Sequence, residues 1–279
     1  MLKARVVTAL LLLAGFLAVL FLLPFYGWLL FAALVAGVGA WEWAGLMKLD
    51  ASNRRGYAFA SVALCAGLGW LVFEIGTGVI RQVGLLSSIY ILAAIFWLLA
   101  VPFWLKAKWP ASARISGLLA GCVVLIPACL ALMQLRVFAP LFLLAAMASV
   151  WVADISAYIC GRAFGRHKLA PAISPGKTWE GAIGAVAGVL IYGSVVAWVA
   201  GRMPNTSGAW VLFALSLVVL TAVSILGDLF ESLAKRQAGV KDSGATLPGH
   251  GGVLDRIDSL TSTLPLVGLA VLFWDGQLP

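Results

Sequence analysis

Nine runs of apolar residues follow one another with little between them: 6–25, 26–47, 57–75, 84–104, 115–134, 138–160, 181–201, 209–230 and 259–275. A helix built from about 17–25 apolar residues has the length of a bilayer's hydrocarbon core. The runs are apolar on every face, whereas strands of a membrane barrel would alternate polar and apolar positions. Apolar residues make up 63% of the 279, and charged residues only 11%. A soluble domain carries roughly 45–50% and 25% of these, so no soluble core hides this much apolar surface. The sequence predicts an all-α, polytopic integral membrane protein of about nine transmembrane helices.

The first run follows Lys3 and Arg5, as a signal peptide would. It is longer than the usual apolar stretch of roughly 7–15 residues, and no cleavage site follows, so it is expected to stay as a span. Residues 1–279 read as one membrane domain without internal repeats, with an N-terminal helical part (1–110) and a C-terminal part (111–279) that holds the polar motifs. Lys106 to Arg114, with Trp109 and Pro110, reads as a short connector at the membrane interface.

Lysine and arginine set the expected orientation. Sixteen of the 19 fall at the N-terminus and in the second, fourth, sixth and eighth loops, leaving Arg81, Arg136 and Arg202 for the other side. That asymmetry predicts a cytoplasmic N-terminus and places both motif-bearing loops, the sixth and the eighth, on the cytoplasmic face. The net charge of +8 is accounted for by this bias and by anionic phosphate ligands, with no nucleic acid required. Cys65, Cys122, Cys129 and Cys160 lie in apolar stretches without metal-ligand spacing and read as small buried hydrophobes.

Ser232 to Asp258 breaks the apolar pattern: Lys235, Arg236, Lys241, Asp242, Asp255, Arg256 and Asp258 crowd into one window, with Asp228 and Glu231 just before it. Asp228 and Glu231 are three residues apart on one helix face, and Asp255 and Asp258 repeat that spacing. Paired acids at a membrane boundary repel, and a bound divalent cation relieves the conflict; oxygen ligands favour Mg²⁺ over Zn²⁺. Helix capping by Asp255 and Asp258, with Asp228 paired to Lys235 or Arg236, is the alternative. Asp154 is either a further ligand or a partner of Arg162.

Two loops are rich in glycine or hydroxyl groups. Leu247-Pro248-Gly249-His250-Gly251-Gly252 brings backbone N–H groups close to an anion, or merely connects two helices. His250 there is placed to donate to a phosphate or to carry a proton. Ser174-Pro175-Gly176-Lys177-Thr178-Trp179-Glu180-Gly181 is either a phosphate cradle or a helix start, with Ser174 or Thr178 as cap and Lys177 on lipid headgroups. It is not a Walker A loop, and no hydrolase elbow or zinc-protease motif occurs. Arg162, Arg166, His167 and Lys168 read as a basic anchor at the membrane surface.

Together these residues resemble the phosphatidate cytidylyltransferase (CDP-diacylglycerol synthase) family. Its signature is matched from Ser232 through Asp258, with Ala234 standing where a larger apolar residue is usual. Ser174 to Gly181 and Asp154 to Gly165 also look like the family's, so the resemblance covers about residues 150–260. It implies a homodimer in a bacterial plasma membrane, with a polar cavity open to cytoplasm and lipid. The implied reaction is CTP plus phosphatidate to CDP-diacylglycerol and pyrophosphate, with Mg²⁺ as one or two cations. By the same resemblance Asp228 and Asp255 are metal ligands with Asp258 close by, and Ser174, Lys177, Lys235, Arg236, Lys241, His250 and Arg256 surround the phosphates. Asp228, Asp255, Lys177 and His250 form the implied catalytic set, while Thr178 and Asp154 join the substrate-binding residues. Rival readings are a CTP-dependent lipid-alcohol kinase and, in another class, an ion-coupled transporter that uses the intramembrane acids.

Overall fold

The computed structural model describes residues 2–74, 77, 79–110, 114–247, 249 and 251–273. Its helices are α1 (Leu2–Leu22), α2 (Phe25–Leu46), α3 (Ala51–Val72), α4 (Val83–Ile95), α5 (Val101–Ala107), α6 (Arg114–Phe138), α7 (Pro140–Phe164), α8 (Trp179–Val199), α9 (Ser207–Ala238) and α10 (Leu254–Phe273). A π turn, Phe96–Ala100, welds α4 to α5, so one span runs from Val83 to Ala107. Pro102 explains the turn, because it offers no N–H to the carbonyl four residues earlier and the helix must widen there. Among the described residues, eight spans are long and apolar enough to cross a membrane; α1 adds a helix whose described apolar stretch is Leu13–Leu22. The protein is an all-α polytopic membrane protein.

The helix starts follow local chemistry. Asp50 caps α3 by accepting from Ser52 N at 3.1 Å and Asn53 N at 3.3 Å, and the Asn53 side chain and backbone hold its carboxyl below the usual aspartate range. Thr178 and Thr206 cap α8 and α9 through their hydroxyl oxygens. Pro24 and Pro140 begin α2 and α7, where a missing N–H costs nothing. Gly239, at φ 80°, ends α9 in the left-handed region.

In lipid, helices gain little from burying apolar surface against one another, so close backbone approach decides the packing. The α7–α8 seam is lined by Gly181, Gly184 and Gly188 against Ala157, Cys160 and Ser156; a Cβ at Gly184 would lie 2.4 Å from that of Cys160. The α9–α10 seam works the same way around Gly227, where a Cβ would lie 2.8 Å from the Asp258 carbonyl oxygen. Hydroxyls stitch this seam: Ser259 Oγ donates to Ser224 O at 3.1 Å and Ser262 Oγ to Val223 O at 2.9 Å.

Two aromatic-rich cores fill the bundle. At the end carrying the α9–α10 loop, Trp43 stacks on Phe230, and Phe96, Trp97 and Trp104 meet the same ring edge-on. At the other end Arg136 closes the α1–α2 turn, donating to Leu20 O at 3.1 Å and to Leu23 O, and so satisfies carbonyls that the end of α1 leaves open.

Two features depart from the sequence reading. The sixth loop contains a small antiparallel hairpin, β1 (Lys168–Ala170) with β2 (Ser174–Thr178), in which Lys168 pairs with Thr178 and Ala170 with Ser174. Ile173, 5% exposed, anchors its tip in the aromatic core. In addition α9 continues for two turns beyond the apolar run, to Ala238, which makes Lys235 and Arg236 helical.

Candidate functional site

Asp228 stands on α9 beside the seam glycine, and Asp258 stands opposite it on α10. Because Gly227 lets the backbones nearly touch, the two acids fall within electrostatic reach of each other. Glu231, one turn along α9, and Asp255, one turn back on α10, extend the group in one direction. Asp154, on α7, lies within reach of Asp228 and Lys177 and extends it in the other. Five carboxyl groups from three helices thus share one end of the bundle.

Two lysines answer them. Lys235 Nζ sits 3.0 Å from Glu231 Oε2 and 2.7 Å from Asp255 Oδ1, and these three side chains are 13%, 4% and 8% exposed. The hairpin supplies the other lysine. The register of β2 carries Lys177 over α9, where its Nζ meets Asp228 Oδ2 at 2.5 Å. Ser232 Oγ donates to the second oxygen of Asp228 at 3.1 Å. Glu231 Oε1 is buried without a hydrogen-bond partner, an expensive condition for a carboxylate oxygen.

Five acids outnumber two ammonium groups, and every donor is oxygen. That set fits a hard divalent cation. Among the described residues, however, no three His, Cys, Asp or Glu side chains stand together as metal ligands. Lysines lie between them: Lys177 is paired with Asp228, and Lys235 with Glu231 and Asp255.

A profile of the Cytidylyltransferase family matches residues 3–274. The chain belongs to this family. The Pseudomonas aeruginosa protein named phosphatidate cytidylyltransferase is 40% identical to it, over 98% of this chain and 97% of the relative. The protein of the same name from Haemophilus influenzae is 37% identical over 98% and 99%, and that from Brucella suis 38% identical over 91% and 87%. Cytidylyltransferases are nucleotidyltransferases, and the match reaches well beyond residues 150–260, into the N-terminal half where only hydropathy suggested a likeness.

Within this cytidylyltransferase, the structure gathers Asp154, Lys177, Asp228, Glu231, Lys235, Asp255 and Asp258. Asp228 pairs with Lys177, not with Lys235 or Arg236. Arg162 donates to Tyr158 Oη at 3.0 Å, and Asp154 lies with the acid cluster. Thr178 is buried and spends its oxygen on the α8 cap, accepting from Gly181 N at 3.1 Å. Ser174 belongs to β2, and Arg236 Nε reaches Ile173 O at 3.4 Å, tying α9 to the hairpin. Lys241 is exposed on the α9–α10 loop. Arg256 lines a mostly apolar groove of about 430 Å³ between α1, α2, α6, α7 and α10. His250 lies outside the described residues. His167 pairs with Glu180 at 2.6 Å at the foot of α8.

One participant escaped the motif search. Glu42, on α2, reaches the loop between α9 and α10. A lone acid in an apolar run flanked by two tryptophans was the available signal, since intramembrane acids are rare without a purpose.

Proposed function

We propose that this cytidylyltransferase moves the cytidylyl group of CTP onto phosphatidate, leaving CDP-diacylglycerol in the membrane and releasing pyrophosphate. The observation that carries the reading is the cluster itself: lysines from the β-hairpin and α9 held against acids of α9 and α10 at one end of a membrane bundle. The name borne by the relatives matched over nearly their full length supports it. By the lysine and arginine asymmetry, this end faces the cytoplasm of a bacterial plasma membrane, where CTP is available. A homodimer is part of the proposal.

Phosphatidate brings its own nucleophile, a phosphate oxygen already deprotonated near pH 7 because the second phosphate pKa is about 6. That oxygen attacks the α-phosphorus of CTP in line, and the bond to pyrophosphate breaks. Both reactants are anions, so catalysis consists of neutralising charge and holding alignment. Lys177 and Lys235 exchange carboxylate oxygens for phosphate oxygens, while Arg236, Lys241 and Arg256 counter charge on the departing pyrophosphate and the lipid headgroup. Asp228 and Asp255, with Asp258 beside them and Glu231 Oε1 uncommitted, would hold one or two Mg²⁺ ions. Such an ion, when bound, supplies Lewis acidity and positive charge at the phosphoryl oxygens. No residue has to act as a strong general base.

The test is purified protein with Mg²⁺ and CTP labelled in the cytosine ring, offered phosphatidate and, in a parallel reaction, diacylglycerol as a lipid alcohol. Label in the lipid with release of pyrophosphate is the expected result. Label recovered as CDP, with the γ-phosphate in the lipid, overturns the reading in favour of a lipid-alcohol kinase.

A further inference from the structure

Glu42 is 1% exposed near the end of α2. A carboxylate so buried is tolerated only when its oxygens are hydrogen-bonded. Each oxygen of Glu42 takes two donors. Oε1 accepts from Thr246 Oγ1 and from Val253 N at 2.9 Å; Oε2 accepts from Ser243 Oγ at 3.0 Å and from Leu254 N at 2.7 Å. All four donors belong to the α9–α10 loop or to the first residue of α10. Leu254 opens that helix, whose first N–H groups have no partner within it. Glu42 therefore caps α10 from a residue more than two hundred positions away in the chain.

The same loop holds Asp255. Its Oδ2 accepts from Gly252 N at 2.8 Å, Ser243 N at 2.9 Å and Ser243 Oγ at 3.0 Å. The Ser243 hydroxyl lies between the two carboxylates, 3.0 Å from each, and they share its one proton. With Oδ2 fully engaged, the other oxygen of Asp255 is turned to Lys235 and the acid cluster. Two glycines close the arrangement: a Cβ at Gly252 would lie 2.5 Å from Glu42 Oε2, and one at Gly244 would lie 2.8 Å from Oε1. Of the loop 247–252, Gly252 N donates to Asp255, while backbone and hydroxyl donors to the two carboxylates also come from the flanking Ser243, Thr246, Val253 and Leu254.

We propose that Glu42 is a positioning residue, which fixes the α9–α10 loop and through Ser243 aims Asp255 into the acid cluster that would hold the cation. This rests on the proposed function only for what Asp255 is aimed at. An amide in place of the acid keeps the volume, yet its NH₂ would face loop donors, so Glu42→Gln breaks half of the arrangement without opening a cavity.

The test uses the full chain in detergent, comparing wild type with Glu42→Gln and Glu42→Ala. Backbone hydrogen exchange is read at Val253 and Leu254, and kcat and KM for CTP are measured alongside. For Glu42→Gln we expect exchange to rise at least tenfold at the amide that the new NH₂ faces, and for Glu42→Ala at both, with Leu264 in mid-α10 unchanged. We expect kcat to fall at least tenfold and KM for CTP to change less than threefold. A merely structural role would lower the folded fraction and leave that split absent. Gly252→Ala, which pushes on the same contact from the loop side, should reproduce both effects and decides the matter should Glu42→Ala not fold. Wild-type exchange in Glu42→Gln overturns the capping role, and wild-type kcat overturns the positioning role. If the wild type places no cytidylyl label in lipid, the proposed function has failed, while the exchange measurement still tests the Glu42 anchor.

Discussion

Replacing Lys235 by methionine isolates the ion network from the volume that the lysine fills. The ammonium contacts Glu231 Oε2 at 3.0 Å and Asp255 Oδ1 at 2.7 Å. At an effective dielectric constant of about 20, each contact corresponds to roughly 5–6 kcal/mol of gross attraction. Desolvation of three groups that are 13%, 4% and 8% exposed offsets most of it. Removing the single cation strands Glu231 and leaves Asp255 held through Oδ2 alone, for a net cost of about 3–5 kcal/mol. At roughly 2–4 °C per kcal/mol, Tm should fall by about 6–20 °C. With the half-buried Cys122 and Cys160 replaced by alanine, Cys65 and Cys129, 0% and 2% exposed, make a thiol-reactive fluorogenic dye a reporter of unfolding in detergent. Lys106→Met, at an exposed lysine, is the control and should leave Tm alone. Adding Glu231→Gln to Lys235→Met removes one stranded acid and should recover part of the loss. A Tm for Lys235→Met within about 2 °C of wild type refutes the reasoning, because the network would then contribute less than the lower bound.

Three further outcomes are expected. Asp228→Asn and Asp255→Asn should each cut turnover by at least ~10²-fold while thermal unfolding stays cooperative; wild-type conversion by both removes the metal assignment. Lys177→Ala should raise KM for the phosphate-bearing substrates at least ~10-fold, since one charge-assisted contact is worth about 1.5–3 kcal/mol, and an unchanged KM and rate would return Lys177 to headgroup anchoring. Gly227→Ala places a Cβ 2.5 Å from Ser262 Oγ and 2.8 Å from Asp258 O; separating α9 from α10 should cost about 1–3 kcal/mol and lower kcat, and a variant with wild-type Tm and kcat contradicts the tight seam.

Much of this was legible in the sequence because membrane helices must satisfy their own backbone. The apolar runs announced each span, though α3 and α10 begin five or six residues earlier than their runs and α9 ends eight residues later, and the crowding of Asp228, Glu231, Lys235, Asp255 and Asp258 announced one end of the bundle. Side-chain pairing was not legible. Lys177 reaches Asp228 only because a hairpin folds over α9, and Pro175 and Gly176 within Ser174–Thr178 argue against a strand on propensity alone. The length of α9 was hidden as well, since hydropathy ends near residue 230 while packing of Leu233 and Ala234 into the aromatic core carries the helix onward. Glu42 went unread because its partners lie at the far end of the chain, and no local pattern records such a pairing.

The Gly227 contact also bears on how the protein meets membranes of different thickness. Helices answer a thicker or thinner bilayer by changing tilt. Ser259 and Ser262 bond α10 to α9 on one side of that contact, and the Lys235–Asp255 ion pair ties them on the other. Bound at three levels, the two helices tilt as a pair, and the acids between them keep their spacing.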